Sequence, residues 1–226
     1  MNDCTVIINT VNEVPERLQA AIHSYKTQVG ADVHILISTV EGDPSSELPH
    51  EIVISPKGIY QQLNNAVKHI YTDWWCYASG NDIAHTNKIQ SEIMRCKNQR
   101  AKVCYSDFNM GTPSGGFRRM IFPEYNYDTH VKGNFVNDCS MIHHSLLKYM
   151  PFQFEKWGNL SHWDFWLRVY EAEGNVFCHN PYPTWDYIQH EDSKHIMRSK
   201  NPKEVHEMNE LVKKLQHEHR TKRWLL

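Results

Sequence analysis

The feature that most constrains this chain is an alternation. Short β-branched or aromatic runs that stop abruptly on polar residues are separated by stretches with helical spacing. Thr5 to Ile8 runs into Asn9, Thr10 and Asn12, as a buried strand ending at a loop would. Pro15 suits a first helical turn, Leu18, Ala21, Ile22 and Tyr25 share one face, and Gly30 suits a left-handed closure. Val33 to Ile37 is the next strand, halted by the turn-forming Glu41-Gly42-Asp43-Pro44, and Ile52 to Ile54 reads as a third. Ile59, Leu63, Ala66, Val67 and Ile70 make a second helix after Gly58, and Trp74 to Ala78 a further strand. Helix from Ile89 to Cys96 and strand from Val103 to Ser106 continue the series. Such alternation predicts an α/β fold with right-handed crossovers, a mostly parallel sheet and ligands at the carboxyl ends of the strands.

Residues 107–137 are rich in Gly, Pro and aromatics and lose clear period, which reads as a binding loop or lid. Helix returns over Leu160 to Ala172, strand over Asn175 to Cys178, and Asn201-Pro202 opens a last amphipathic helix with Val205, Met208, Leu211, Val212 and Leu215 on one face. The division expected is one domain over 1–198, with a first half over 1–100 and a second over 101–198, followed by a C-terminal helix over 199–226. There is no internal repeat.

Composition narrows the classes. Of 226 residues, 40% are apolar and 22% charged, as in globular chains, so disorder is not the main state. The net charge of −2 gives no positive field for nucleic acid. No apolar run approaches the roughly 20 residues a bilayer crossing needs, and Met1 to Thr10 lacks a basic, hydrophobic leader, so a cytoplasmic chain is expected. The six cysteines are scattered with no CxxC pair, which disfavours a zinc ribbon and reads as reduced, mostly buried thiols.

Chemistry concentrates at strand ends. Trp74 to Ala78 runs into Ser79-Gly80-Asn81-Asp82, where Asn81 and Asp82 offer oxygen ligands for a cation, or a plain turn. Thr10, Asn12, Glu13 and Glu41 follow the first two strands. KGIYQQLNNAV carries Lys57 and Asn64, and HWDFWLRVYEAEGNVF carries His162 and Asp164. TVIINTVNE, Glu41-Gly42, KGIYQQLNNAV, WWCYASGNDIAHTNKI, GNFVNDCSMIHHSLL and HWDFWLRVYEAEGNVF occur in that order. With TWDYIQHEDS they resemble the family 2 glycosyltransferases, inverting enzymes of the GT-A fold, over roughly residues 4 to 192.

The resemblance implies a GT-A, Rossmann-like fold and transfer of a sugar from a nucleotide-diphosphate donor, a UDP-sugar by preference, to a glycan hydroxyl. It implies nucleotide contacts from Thr10, Asn12, Glu13, Glu41, Lys57 and Asn64, and Mn2+ or Mg2+ held at Asn81, Asp82 and His190. A neutral imidazole at His190 would complete a site short of carboxylates. Bland readings stand beside these: a helix cap for Asn12, solvated charges for Glu13 and Lys57. Departures fall on the chemistry, because the metal motif keeps one carboxylate and Ser161-His162 replaces an acid pair. By position His162 is the expected base, with a reference pKa of about 6.5 suited to neutral pH. Asp164 is the other candidate, and two residues apart on a helix only one of them can face an acceptor. Trp163, Trp166 and Leu167 read as core, with Arg168 anchoring the helix through an ion pair. His190 to His195 is not HExxH, which disfavours a zinc protease. The last helix is expected to dock on the domain or form a homodimer contact. A nucleotide- or carbohydrate-binding protein that has lost catalysis is the main alternative, and a nucleotidyltransferase lacks its expected Gly-rich basic loop.

Overall fold

The structure, a computed structural model, describes residues 3–111, 115–189 and 201–223. The central sheet has seven strands: β1 (Cys4–Asn9), β2 (Val33–Thr39), β3 (Glu51–Ile54), β4 (Trp74–Ser79), β6 (Val103–Ser106), β9 (Met141–His143) and β10 (Phe177–Asn180). Their order is β10-β6-β9-β4-β1-β2-β3, parallel except for β9, which runs antiparallel to both its neighbours. This is an α/β fold with a largely parallel, Rossmann-like core sheet.

Period-two alternation places the two halves of each strand in different cores. Ile7, Leu36, Val53, Trp75 and Tyr77 pack on one face, against Leu63 of α2 (Ile59–Ala66) and Phe165, Trp166 and Val169 of α6 (Ser161–Glu173). Val6, Ile8, Ile35, Ile37, Cys76 and Ala78 pack on the other. That face is covered by Leu18, Ile22 and Tyr25 of α1 (Pro15–Lys26) and by Ile89, Ile93 and Cys96 of α3 (Lys88–Gln99). Helices on both faces explain why the strands read as nearly continuous apolar runs. Each large residue buried here contributes about 1.5–3 kcal/mol.

The stretch read as an irregular lid is mostly structured. It contains β7 (Phe108–Gly111), β8 (Phe117–Met120) and the short α4 (Tyr127–Lys132). With β5 (Ile83–Ala84) and β11 (Trp185–Ile188) the two strands form a second sheet, ordered β5-β11-β7-β8. Its organiser is the fully buried Asp107, which accepts hydrogen bonds from Arg119, from His179 Nε2 at 2.8 Å and from the Phe122 N–H.

After the short α5 (Phe154–Trp157), α6 and α4 receive α7 (Pro202–Arg223), whose Leu215 is buried beside Tyr127, Trp163 and Leu167, with Leu211 and Val212 partly covered. Val205, expected on that face, is exposed, so the first turns of α7 stand off the domain. The expected division at 198/199 falls outside the described residues. Among the described residues no helix is long and apolar enough to cross a membrane.

Candidate functional site

Parallel register brings the ends of the strands to one edge. Asn9 lies beside Ser38 on one side and Ser79 on the other, so the loops after β1, β2 and β4 leave the sheet together. The loops after β1 and β4 touch: a Cβ added at Gly80 would stand 3.3 Å from Thr10 Cβ and 3.4 Å from Glu13 Cγ. Three buried polar atoms here have no hydrogen-bond partner, namely Asn9 Oδ1, Thr10 Oγ1 and Asp82 Oδ1. Orphaned buried polar atoms are costly, and their grouping at one edge is what a polar ligand would satisfy.

The first loop is held by a residue that sequence reasoning took for a turn-former. Asn12 adopts a left-handed conformation at φ 54° and donates its N–H to Asp43 Oδ2 at 2.6 Å. Asp43 Oδ1 accepts from the Ser45 N–H and hydroxyl. Burial raises the Asp43 pKa, but these hydrogen bonds outweigh it and hold the carboxyl below its usual range. The ionised form is therefore favoured by the fold, and that stability is lost as pH falls through the lowered pKa. Asp43→Ala should cost about 2–3 kcal/mol in denaturant unfolding and release residues 10 to 13.

Asp82, directly after β4, is 3% exposed. Its Oδ2 meets the Cys139 thiol at 3.9 Å. Burial pushes its carboxyl up to about 8, with the charge of Asp138 adding, against backbone hydrogen bonds at Ser79 and Ile188 and the Cys139 contact. Asp82 is thus a carboxylic acid that keeps its proton at neutral pH and has one oxygen free. Asn81, half-buried beside it, accepts the Ser79 hydroxyl at 2.7 Å on Oδ1 and has a second lone pair to spare. This hard oxygen set fits Mn2+ or Mg2+, because a cation gives Asp82 the countercharge its ionised form lacks. His190 lies outside the described residues.

Asp138, the chain neighbour of the Cys139 that meets Asp82, forms a pair with a residue of another element. His162, in the first turn of α6, is buried among Tyr60, Tyr77, Phe152 and Trp166. Its Nδ1 lies 3.2 Å from the Tyr60 hydroxyl and 3.4 Å from Asp138 Oδ1. Burial lowers its pKa, with the Asp138 charge opposing. The Asp138 side chain is 47% exposed and that of His162 4%, so the pair presents its carboxylate outward. Asp138 was not singled out in the sequence; its one signal there was a place in GNFVNDCSMIHHSLL, just before a buried run.

Asp164 faces elsewhere. Its Oδ2 accepts from Arg168 Nε at 2.7 Å and its Oδ1 lies 3.3 Å from His219 Nε2 of α7. Both oxygens are engaged away from the strand ends, so Asp164 anchors helices. His219, fully buried, also meets Glu171 through Nδ1, and Glu171 accepts the Tyr127 hydroxyl. Burial lowers the His219 pKa, but Asp164 and Glu171 outweigh it and raise it overall. The fold therefore favours the charged imidazole, and its stabilisation is lost as pH rises through the raised pKa. Amide exchange of α7 should accelerate as pH climbs from 6 to 9, after correction for intrinsic rates. His219→Ala, which takes the cation from Glu171 and from one oxygen of the buried Asp164, should cost about 3 kcal/mol.

Asn64 is also turned aside, its Nδ2 donating to Phe152 O at 3.0 Å and its Oδ1 accepting the Phe152 N–H at 2.8 Å. Glu41 and Lys57 are exposed, at the ends of β2 and β3 on the same sheet edge as Thr10, Asn12 and Glu13. All six cysteines are free and buried.

No protein-family model matches the chain, and no curated protein matches it. Solved structures do. TarS 1-349 from S. aureus in complex with UDP superposes with a TM-score of 0.68 at 11% identity, over 93% of this chain and 64% of that one. The chain shares the fold of proteins crystallised with UDP. The same TarS fragment with UDP-GlcNAc gives 0.66 at 11% identity, over 86% of this chain and 60% of that one. Glucosyl-3-phosphoglycerate synthase from Mycobacterium tuberculosis, in complex with Mn2+, UDP and glucosyl-3-phosphoglycerate, gives 0.66 at 9% identity, over 96% and 80%. This chain thus spans less than two thirds of the TarS fragment, and at such identities the likeness is one of fold.

Proposed function

We propose that this protein is an inverting, family 2-like GT-A glycosyltransferase that moves a sugar from a nucleotide-diphosphate donor, a UDP-sugar by preference, to a glycan hydroxyl. One observation carries the reading: Asp138 lies 3.4 Å from the buried His162, and its chain neighbour Cys139 meets the strand-end acid Asp82 at 3.9 Å. We read the donor-side polar atoms and this pair from another part of the chain as parts of one site. The shared fold with proteins holding UDP and UDP-GlcNAc supports the donor class.

Inversion in one step needs a single base opposite the departing nucleotide. The acceptor oxygen bonds to the anomeric carbon as the bond from that carbon to the diphosphate oxygen breaks, and the hydroxyl proton passes to the base. His162 was the positional expectation for that role. Because it is enclosed by aromatic rings, the acceptor reaches Asp138 first, and Asp138 takes the proton. His162 orients the carboxylate: with hydrogen on Nδ1, the ring points a donor at Asp138 Oδ1. Thr10 and Asn12, in a loop fixed by Asp43, with Glu13, Glu41 and Lys57, hold the nucleotide. Asn81 and Asp82 would hold Mn2+ or Mg2+, which when bound neutralises charge gathering on the leaving diphosphate.

A second reading, binding without transfer, is favoured by one observation: Asp82 is the sole carboxylate in residues 79–82 and is protonated near neutrality. Release of UDP from a panel of UDP-sugars with glycan acceptors, with product configuration read by NMR, separates the two. Transfer with an inverted anomeric centre is expected; UDP binding without turnover on any donor would leave the second reading.

A further inference from the structure

The sulfur atoms that look scattered in sequence are not scattered in space. Cys178 of β10 lies opposite Cys104 of β6 in the parallel register, and α3 packs across both strands, bringing Cys96 over them. The three Sγ atoms lie within 4.8 Å of one another, with Cys96 and Cys178 at 3.9 Å. Three thiolates around one ion at about 2.3 Å stand about 3.8–4.0 Å apart, so the group needs little adjustment to close on a cation.

Buried charged groups stand around the cluster. Glu92, one turn before Cys96 on α3, is completely buried. Its Oε1 accepts from Lys88 Nζ at 2.8 Å and from the Thr184 hydroxyl at 2.6 Å, yet its Oε2 has no hydrogen-bond partner. The charge of Glu92 bears on Cys96 and Cys104, so the carboxylate lies within electrostatic reach of the sulfurs, outside their ring of ligand atoms. Arg95 Nε is likewise buried without a partner, and the charge of Arg95 bears on Cys178. We propose that Cys96, Cys104 and Cys178 form a structural site for a soft divalent cation of the zinc class.

Formal charge supports that class. Three thiolates and Glu92 bring four negative charges, and a divalent ion with Lys88 and Arg95 brings four positive ones. Binding exchanges three thiol protons, released to solvent, for three metal–sulfur bonds. Sulfur donors select zinc-like ions over Mg2+ or Mn2+, which sets this site apart from the oxygen donors at Asn81 and Asp82. The bound ion would pin α3 to β6 and to the edge strand β10. Since the sulfurs are enclosed, the ion enters during folding.

The test uses Cd2+ alone as the probe. The full chain is refolded from denaturant under reducing conditions with increasing Cd2+. Thiolate-to-metal absorbance should saturate at one equivalent, be lost in Cys104→Ala and Cys178→Ala, and persist in Cys76→Ala. A pulse of N-ethylmaleimide in partial denaturant, read by peptide mass, needs no variant: Cys96, Cys104 and Cys178 should be spared in loaded protein while Cys4, Cys76 and Cys139 are alkylated. No absorbance in refolded wild type, or six thiols labelled alike with and without Cd2+, overturns the proposal.

Discussion

Asp138→Asn is expected to reduce sugar transfer by about 10²–10⁴-fold, the usual contribution of one positioned base, while metal-free UDP binding stays within twofold. Asparagine keeps the shape of the side chain and removes its capacity to take a proton. His162→Gln should have a smaller effect, because it removes the group that orients the carboxylate and not the carboxylate itself. The two positions therefore separate in a kinetic comparison. Should Asp138→Asn retain wild-type turnover while His162→Gln abolishes it, the imidazole is the base and must gain access to the acceptor by local opening. Asp164→Asn should act on thermal stability and leave the acid limb of the pH profile in place, since Asp164 is bound to Arg168 and His219.

The second large effect concerns stability against pH. The Asp82 carboxyl is raised to about 8, so the folded chain binds a proton that the unfolded chain has already released above about pH 4. Stability from this group is complete below the unfolded pKa and is lost as pH rises through about 8. Over that window the loss is on the order of 5 kcal/mol. Asp82→Asn should abolish it, giving a stability that rises relative to wild type from pH 4 to 9. The difference between the two proteins is the quantity to follow, because Asp43, Asp164 and Glu173 have lowered pKa values and bend the curve the other way in acid. At pH 9, Mn2+ should restore part of the lost stability to wild type and none to Asp82→Asn. Parallel pH curves for the two proteins would show that Asp82 is not held as a buried acid.

What was legible in the sequence follows from locality. β-branched runs, helical spacing and turn residues act over a few positions, and β1, α1, β2, β3, α2, β4, α3 and β6 lie where those signals place them. The hairpin of β7 and β8 was hidden because its organiser, Asp107, draws on Arg119 and on His179, which is 72 positions away. β11 joins β7 in parallel at a similar distance. The site divides in the same way. Strand-end residues could be named because a parallel sheet puts its carboxyl ends together. Asp138 could not, since its meaning depends on His162 and Asp82 arriving from other elements. Asp43 looked like a turn residue, and its side chain holds the neighbouring loop instead. The spacing argument that His162 and Asp164 face differently is met in the fold, where one turns to Tyr60 and Asp138 and the other to α7. His219 was invisible because a histidine on a helix otherwise rich in charge gives no sign of burial between two carboxylates.

Calorimetry of UDP with and without Mn2+ is the most direct check that separate strand ends build a single nucleotide-diphosphate pocket. One UDP per wild-type chain is predicted, tightened by Mn2+ roughly tenfold, or about 1.4 kcal/mol, with that gain absent in Asp82→Ala and the metal-free affinity weakened in Asp43→Ala. UDP that fails to bind wild type, or binds it and both variants alike whether Mn2+ is present or not, would contradict it.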